Sequence, residues 1–398
     1  MPQLLLRKVR PMGRETVDVL TENGRIKAMG EGIQPTPDAQ VLEGHGHLLL
    51  PGLVNAHAHV DKNLLGLPWL PNAVPGGRIR DFVDHERRVR GELGLSAREQ
   101  AARQFRLGLA TGTTHVRTHV DVDTEAGLRH LEGVLQAKAD FDDLLTVQTV
   151  AFPQSGMLVR PGTAELLEEA AKLGADAVGG LDPCLIDRDP VRHLDTIFAI
   201  AERHGVELDI HLHEEGLLGA FSLELIAERT AALGMQGRVT VSHVFCLGMV
   251  DDTYLGRLTE LLLENRITLM SLASGVTPFP PLKRLHGAGV AICTGTDGIR
   301  DTWGPWNSVD MLDRARTIAF RSGLRRDKDI DMVLGFATHG GARVMGDGEY
   351  GLEVGQRADL VVVPGEVPAE AVAERPPRTY VIKNGRLVAE GGQYIGGA

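Results

Sequence analysis

Residues 51–62 read PGLVNAHAHVDK, an apolar run that ends in two histidines two positions apart. Successive side chains of a strand point to opposite faces, so His57 and His59 project from one face toward a common point. Neutral imidazole is the commonest protein ligand for zinc, iron and nickel. Taken alone, the pair fits a structural role as well as a metal site. Ligand-type residues elsewhere in the chain are needed to distinguish the two interpretations.

After this stretch, short apolar strands alternate with amphipathic helices. Strands are predicted at residues 114–122, 144–153, 207–213, 238–245, 267–273 and 290–297, and helices at 125–139, 163–174, 219–233 and 251–265. Alternation of this kind from about residue 50 to residue 345 predicts a parallel sheet with crossover helices. Such a sheet is either doubly wound or closed into a (β/α)8 barrel.

Polar residues stand at the carboxyl ends of the predicted strands. They are His57, His59, His119, Gln154, His211, His243 and Asp297. A doubly wound sheet gathers its functional groups at one switch point, whereas a closed barrel gathers them from many strand ends. The distribution therefore predicts an α/β fold of the metal-dependent TIM-barrel type. Without an ion, buried imidazoles and carboxylates at four strand ends would be costly unpaired groups, so we expect a bound divalent metal.

The two ends of the chain share one pattern. Residues 17–30 (VDVLTENGRIKAMG) and 379–392 (TYVIKNGRLVAEGG) each predict a hairpin around Asn-Gly, the dipeptide favoured in type I′ turns, and residues 357–365 add a buried strand. They are either two unrelated hairpins or one small β-sandwich domain formed by both termini. We favour one composite domain of residues 1–50 and 346–398, beside a catalytic barrel of residues 51–345.

Composition excludes several classes of function. The chain has 42 basic and 53 acidic residues, which argues against binding to nucleic acid or to an anionic membrane. Its 3 cysteines stand far apart, so neither a disulfide framework nor a four-thiolate zinc site is expected. The initial leucine run is too short for a signal peptide, and no apolar stretch approaches the length of a membrane span. We expect a cytoplasmic homo-oligomer that acts on a small molecule.

Seven motifs in order along the chain carry a family resemblance. They are PGLVNAHAHVDK, RTHVDVD (117–123), TVAFPQSG (149–156), LGADAVGG (173–180), DIHLHE (209–214), GRVTVSHVFC (237–246) and TDGIRDTW (296–303). With them the sequence resembles the amidohydrolase superfamily over essentially its whole length, and within it the cytosine deaminase-like branch. The resemblance implies a barrel with a flanking β domain, in agreement with the alternation and the hairpins.

The resemblance also implies a metal centre. His57, His59, His211 and Asp297 match the metal ligands of the family. The match supplies no carboxylated lysine as a bridge, so one divalent ion per chain is expected. Zinc and iron are the first choices for that ion, with manganese as a third.

Catalytic roles follow from the same resemblance. His243 matches the histidine that orients the attacking water, and Glu214 matches the acid that delivers a proton to the ring nitrogen. Asp297 would accept the proton of the water and pass it to the leaving amine. Gln154 matches the glutamine at the edge of the heterocycle, where an amide can donate and accept hydrogen bonds.

Three further residues, Lys62, His213 and Trp303, are expected to contact the substrate. His119 is expected to hold a metal ligand in place. Cytosine deaminases carry a second aspartate after the metal aspartate, whereas this chain has Gly298. We expect this glycine to leave room beside the ring and to remove one polar contact.

The predicted function is a metal-dependent deaminase that releases ammonia from a nitrogen heterocycle, a cyclic amidine of the cytosine type. One alternative is an N-alkyl aminohydrolase on an s-triazine of the N-isopropylammelide type, and another is a cyclic amidase. From a different class, the chain could be an inactive barrel scaffold. Retention of the whole ligand set together with Glu214 and His243 argues against a scaffold.

Overall fold

The computed structural model describes residues 3–74, 77–273 and 275–396. Strands in this part of the chain are β1 (Leu4–Pro11), β2 (Val17–Glu22), β3 (Arg25–Gly30), β4 (Gln40–Glu43), β5 (Leu48–Pro51), β6 (Leu53–Ala58), β7 (Thr113–Asp121), β8 (Thr146–Phe152), β9 (Ala177–Leu181), β10 (Glu207–Leu212), β11 (Val239–His243), β12 (Thr268–Met270), β13 (Ile292–Cys293), β14 (Leu360–Val363), β15 (Tyr380–Lys383), β16 (Arg386–Glu390) and β17 (Gln393–Tyr394).

Helices cover the outside of the barrel and part of the terminal sheet. They are α1 (Ile79–Leu93), α2 (Ala97–Ala110), α3 (Arg129–Asp140), α4 (Thr163–Leu173), α5 (Pro190–His204), α6 (Gly216–Ala232), α7 (Asp252–Glu264), α8 (Leu282–Gly287), α9 (Met311–Arg321), α10 (Asp327–Gly335), α11 (Gly341–Val344) and α12 (Pro368–Glu374). The four helices predicted from periodicity are present with shifted ends. No helix among the described residues is long and apolar enough to cross a membrane.

The eight strands β6 to β13 form one parallel sheet in chain order. Its first and last members meet, because Ala58 forms a parallel bridge with Asp297 and the Asp297 N–H donates to the His57 carbonyl at 2.9 Å. The predicted (β/α)8 barrel is therefore confirmed. Its closure brings the end of β6, with both histidines of the HAH motif, beside the loop that carries Asp297.

Strand β9 has no counterpart among the predicted strands. Two of its five residues are Gly179 and Gly180, which weaken a strand pattern because they have no side chain to pack. A Cβ at Gly179 would lie 3.1 Å from the Ala151 carbonyl, so the glycine permits the close approach of β8. The strand matters because Asp182 follows it directly.

The terminal segments share a second sheet of order β17-β16-β15-β14-β5-β1-β2-β3, with β4 paired to β1. Both predicted hairpins are present, and both of their turns are of type I′ because φ is positive at Asn23, Gly24, Asn384 and Gly385. Its strands enclose a common apolar core, as a β-sandwich formed by both termini requires. The division into residues 1–50 with 346–398 and residues 51–345 stays a prediction about folding units.

Barrel closure depends on a glycine, and this gives a first test. A Cβ at Gly295 would overlap the backbone of His57. We predict that Gly295→Ala destabilises the protein by roughly 1–3 kcal/mol, the usual range for overpacking. Gly256→Ala in α7 is the matched control, because nothing lies within 4 Å of its added methyl group and alanine favours the helix. Denaturant unfolding of both variants checks this, and a Gly295→Ala protein as stable as the wild type would contradict it.

Candidate metal centre and active site

Nitrogen and oxygen atoms from three parts of the barrel converge at the carboxyl ends of its strands. The Nε2 atoms of His59 and His211 are 3.4 Å apart, and Asp297 Oδ1 lies 3.2 Å from His59 Nε2 and 3.6 Å from His57 Nε2. Tetrahedral zinc with bonds near 2.0–2.1 Å separates its ligand atoms by roughly 3.3–3.4 Å. The four side chains therefore stand at metal-ligand spacing.

The chemistry of these side chains fits a divalent ion. Burial lowers the pKa of His211 well below its ordinary value, so its imidazole is neutral. The buried Nε2 atoms of His57 and His243 have no hydrogen-bond partner among the described residues. A neutral ring nitrogen with a free lone pair in an apolar interior is costly, and a cation satisfies several such nitrogens at once. Three imidazoles and one carboxylate are a donor set suited to zinc or iron.

A second layer of polar groups orients the first. Ser242 Oγ donates to Asp209 Oδ1 at 2.8 Å and lies 3.1 Å from His57 Nδ1. Since the hydroxyl hydrogen points to Asp209, the serine oxygen accepts a hydrogen bond from the Nδ1–H of His57. The other ring nitrogen of His57, Nε2, then carries a free lone pair. Asp209 Oδ1 also lies 3.3 Å from His119 Nε2, and His119 packs against the His57 ring at 4.2 Å between centroids.

The chain leaves its strands in a strained conformation at this end of the barrel. Positive φ angles occur at Asp182 (37°), His243 (73°) and Asp297 (60°), none of which is glycine. Such conformations cost about 1–3 kcal/mol each and persist where the surrounding structure enforces them. The strained backbone at these three positions directs their side chains toward the site.

A cavity of about 240 Å³ opens beside these groups. All four side chains predicted to contact substrate line it: Lys62, Gln154, His213 and Trp303. Phe152, Leu181 and Trp306 add apolar surface, and His59, His211 and Asp297 form part of the same wall. The volume suits a single-ring molecule, which would lie against the candidate metal ligands.

His213 is held by an aspartate that sequence reasoning did not single out. Asp182 Oδ2 lies 2.8 Å from His213 Nδ1, and Asp182 Oδ1 accepts the His213 N–H at 2.6 Å. Although burial opposes it, Asp182 raises the pKa of His213 above its ordinary value. The His213 ring stacks on His243 with centroids 4.3 Å apart and lies 5.7 Å from the ring of the candidate ligand His211.

Glu214, the predicted proton donor, is bound to the loop after β9 and to Ser222 of α6. Its carboxylate does not line the cavity: Oε1 accepts the N–H groups of Cys184 and Leu185 at 2.7 and 2.9 Å, and Oε2 accepts from the Ser222 hydroxyl. The side chain is fully buried. These three donors hold the carboxylate against the loop after β9 and against α6, and burial raises the pKa of Glu214 above its ordinary value. His213, one residue earlier, faces the cavity instead.

The expectation for Gly298 needs correction. The missing side chain does not leave open space, because a Cβ at Gly298 would overlap Asp301 Oδ2. Asp301 lines the cavity, and its Oδ1 accepts the N–H groups of Trp303 and Gly304 at 2.9 and 3.0 Å. Burial raises the pKa of Asp301 to about 6. A carboxylate thus remains beside the ring site, supplied from three residues further along the chain.

A separate cluster of ligand-type residues, Asp61, Asp121 and His130, is an ion-pair site. Asp61, Asp121 and His130 converge within metal-binding distance. The guanidinium of Arg90 lies among them, 3.1 Å from Asp61, 2.8 Å from Asp121 and 3.0 Å from His130. The Arg90 side chain already occupies the centre of this cluster and pairs with both carboxylates, so these residues are not proposed as a second metal centre.

The sequence analysis did not single out five polar side chains of this region: Glu86, Asp182, Asp209, Ser242 and Asp301. Asp182 follows β9 directly, so the strand-end rule finds it once that strand is recognised. Asp209 lies two residues before His211 on the same strand face. Glu86 carries no signal, because it lies in a helix rich in charged residues.

The chain is similar to known proteins over most of its length. The amidohydrolase family model matches residues 84–389. The N-isopropylammelide isopropyl amidohydrolase of Pseudomonas sp. (strain ADP) is 32% identical over 356 residues, which cover 88% of each chain.

Two solved structures are similar over nearly the whole chain. N-isopropylammelide isopropylaminohydrolase from Burkholderia multivorans is 46% identical with a TM-score of 0.96, covering 99% of this chain and 100% of that one. The 5-methylcytosine deaminase of Klebsiella pneumoniae, liganded with 5-fluorocytosine, is 26% identical with a TM-score of 0.84, covering 100% and 98%. Both relatives act, by their names, on amino-substituted rings.

The metal centre makes a direct prediction. Elemental analysis of the purified protein should find about one zinc, iron or manganese ion per chain. His59→Asn should lose the metal, because it removes a ligand atom from the cluster. His119→Asn should retain it, because that ring lies beside Asp209. Full metal content in His59→Asn, or full activity of a metal-free protein, would contradict the assignment.

Proposed function

Because the chain belongs to the amidohydrolase family, we propose that it is a metal-dependent aminohydrolase that displaces an amine from a carbon of a nitrogen heterocycle. The observation that carries the proposal is one cavity whose wall combines metal ligands with the His213–Asp182 dyad. A barrel kept only as a scaffold would need neither the buried ligand cluster nor an oriented histidine in the cavity. The inactive-scaffold alternative is therefore disfavoured.

His57, His59, His211 and Asp297 are the proposed ligands of the ion. When bound, a divalent ion at such a donor set supplies hydroxide at neutral pH by lowering the pKa of water from about 15.7 toward about 7. Asp297 accepts the proton of the attacking water on its carboxylate. His243, whose buried Nε2 has no partner among the described residues, orients that water.

His213 is the proposed proton carrier in place of Glu214. With Nδ1 held by Asp182, its other ring nitrogen is the one available to the cavity. A histidine in this position can protonate the departing nitrogen, as general acid catalysis requires. The C–N bond breaks, the water oxygen stays on the ring carbon, and the amine leaves with the proton from His213. Transfer of the proton held by Asp297 to His213 then restores both groups.

Polar side chains on the cavity wall suit a ring with both donors and acceptors. Lys62 donates to a carbonyl oxygen, Asp301 accepts an N–H, and Gln154 does both. Alternating C=O and N–H groups occur in the oxo forms of pyrimidines and s-triazines. A ring-opening cyclic amidase is disfavoured, because the sequence supplies no bridging lysine for a second metal.

The substrate that we favour is an N-alkylamino s-triazine. Support comes from the 46% identity to an N-isopropylammelide isopropylaminohydrolase over almost the entire chain, and from Lys62 and His213 in the cavity wall. Deamination of a cytosine-like pyrimidine is the second candidate, favoured by Gln154 and by similarity to 5-methylcytosine deaminase. Homo-oligomerisation and a cytoplasmic location stay predictions of the sequence.

A substrate panel tests the proposal. Amine and ammonia release should be measured with ammelide, N-alkyl ammelides, cytosine, isocytosine, guanine and pterins. We expect the N-alkyl s-triazines to give the highest kcat/KM. Hydrolysis of the pyrimidines alone would support the second candidate, and no reaction with any compound in the metal-loaded enzyme would contradict the proposed chemistry.

Two neighbouring variants separate the proton carriers. His213→Asn should lower kcat by at least about 10²-fold, the usual contribution of general acid–base catalysis. Glu214→Gln should change kcat by less than about fivefold, because an amide oxygen can still accept both backbone N–H groups and its NH₂ can face Ser222. Metal content serves as the control for both variants. The opposite ranking would return the role to Glu214.

A further inference from the structure

Glu86 lies on α1, a helix outside the barrel, yet its carboxylate reaches the substrate cavity from behind. Its Oε2 accepts the Trp303 indole N–H at 2.5 Å, and its Oε1 lies 3.4 Å from Lys62 Nζ. The Gln154 amide nitrogen lies 3.4 Å from Oε2, a longer contact. Three of the four side chains predicted to contact substrate therefore meet one carboxylate, although they come from separate segments of the chain.

Burial makes these contacts energetically important. Glu86 is 1% exposed and Lys62 3% exposed, so both charges lie out of water. Charges buried in this way are retained only when they are paired and hydrogen-bonded. Burial raises the pKa of Glu86 above its ordinary value, whereas Lys62 and Arg90 lower it. Burial also disfavours the Lys62 cation, yet Asp121 and Glu86 hold its pKa above the ordinary value.

Charges on every side of Glu86 belong to one compact network. Arg90, one turn further along α1, pairs with Asp61 and Asp121 and lies 3.7 Å from Glu86 Oε1. Lys62 pairs with Asp121 at 3.2 Å. Arg90 therefore keeps two carboxylate partners without Glu86, whereas the Trp303 indole N–H and the Gln154 amide contact Glu86 itself.

Helix α1 also fixes the ring of Trp303. Phe82, one turn before Glu86, stacks on Trp303 with centroids 5.1 Å apart and ring planes 21° apart. The indole is thus held by a hydrogen bond at its edge and by an aromatic ring on its face. A ring placed in this way presents a fixed flat surface to the cavity.

We propose that Glu86 is the positioning residue of the substrate-binding wall: it holds the Lys62 ammonium, the Gln154 amide and the Trp303 indole in the arrangement that recognises the heterocycle. The proposal rests on the proposed function, because it assumes that these three side chains contact substrate. Glu86 itself lies behind the cavity wall and touches no reacting atom. Its loss should therefore weaken substrate binding more than the chemical step.

Glu86→Gln tests this with Glu92→Gln as the matched control. Glu92 lies on the same helix, is exposed and pairs with Arg88 only at the surface. We expect Glu86→Gln to raise KM at least about tenfold, because hydrogen bonds to charged groups are lost, with kcat changed less than about threefold. Metal content should stay at the wild-type value. Glu92→Gln should leave both constants unchanged.

A double-mutant cycle shows whether Glu86 acts through Lys62. Because Glu86 also contacts Gln154 and Trp303, Glu86→Gln should still lower kcat/KM in the Lys62→Met background, but by a smaller factor than in the wild type. The double variant removes one cation and one anion together, so it keeps the buried charge balanced and serves where Glu86→Gln does not fold. Additive losses would overturn the proposal, and so would an unchanged KM in Glu86→Gln.

A readout without substrate separates this proposal from the proposed function. The indole ¹H–¹⁵N resonance of Trp303, assigned with Trp303→Phe, should move in Glu86→Gln and stay in place in Glu92→Gln. If the wild type hydrolyses no heterocycle while this resonance moves, the proposed function is wrong, but the hydrogen bond between Trp303 and Glu86 is supported. If the wild type is active and the resonance does not move, the positioning role is wrong.

Discussion

The site depends on how the barrel closes. The parallel bridge between Ala58 and Asp297, with the hydrogen bond from the Asp297 N–H to the His57 carbonyl, joins the last strand region to the first. This contact brings a carboxylate from near residue 300 beside two imidazoles from near residue 60. Gly295 lies at the joint because a larger residue would overlap the His57 backbone. Closure of the barrel therefore places the Asp297 carboxylate beside the imidazoles of His57 and His59.

Carboxylates support several side chains of the site from behind. Asp209 is linked through Ser242 to His57, Asp182 contacts His213, and Glu86 contacts Lys62 and Trp303. Each of these contacts restricts the rotamers of the side chain that it supports, and restricted rotamers hold a site in productive geometry. The apolar interior strengthens these interactions and also makes an unpaired partner costly. We therefore expect substitutions in this second layer to affect binding and catalysis before they affect the fold.

Much of the fold could be predicted from the sequence, because it rests on local patterns. The Asn-Gly turns fixed the two terminal hairpins, and apolar strands alternating with amphipathic helices specified the barrel. The ligand-type residues at strand ends were found by the same reasoning. Side-chain direction was not accessible: His213 and Glu214 are adjacent, and only the structure shows that the first faces the cavity while the second supports a loop. Glu86 was out of reach, because its role depends on contacts across more than 200 residues with Trp303.

The most direct test of this account is anomalous diffraction at the absorption edge of the bound metal, from crystals of active protein. The account predicts one strong peak per chain, within bonding distance of His57, His59, His211 and Asp297. A peak at the cluster of Asp61, Asp121 and His130 would contradict the assignment. Fully active crystals without any anomalous peak would contradict the metal-dependent mechanism itself.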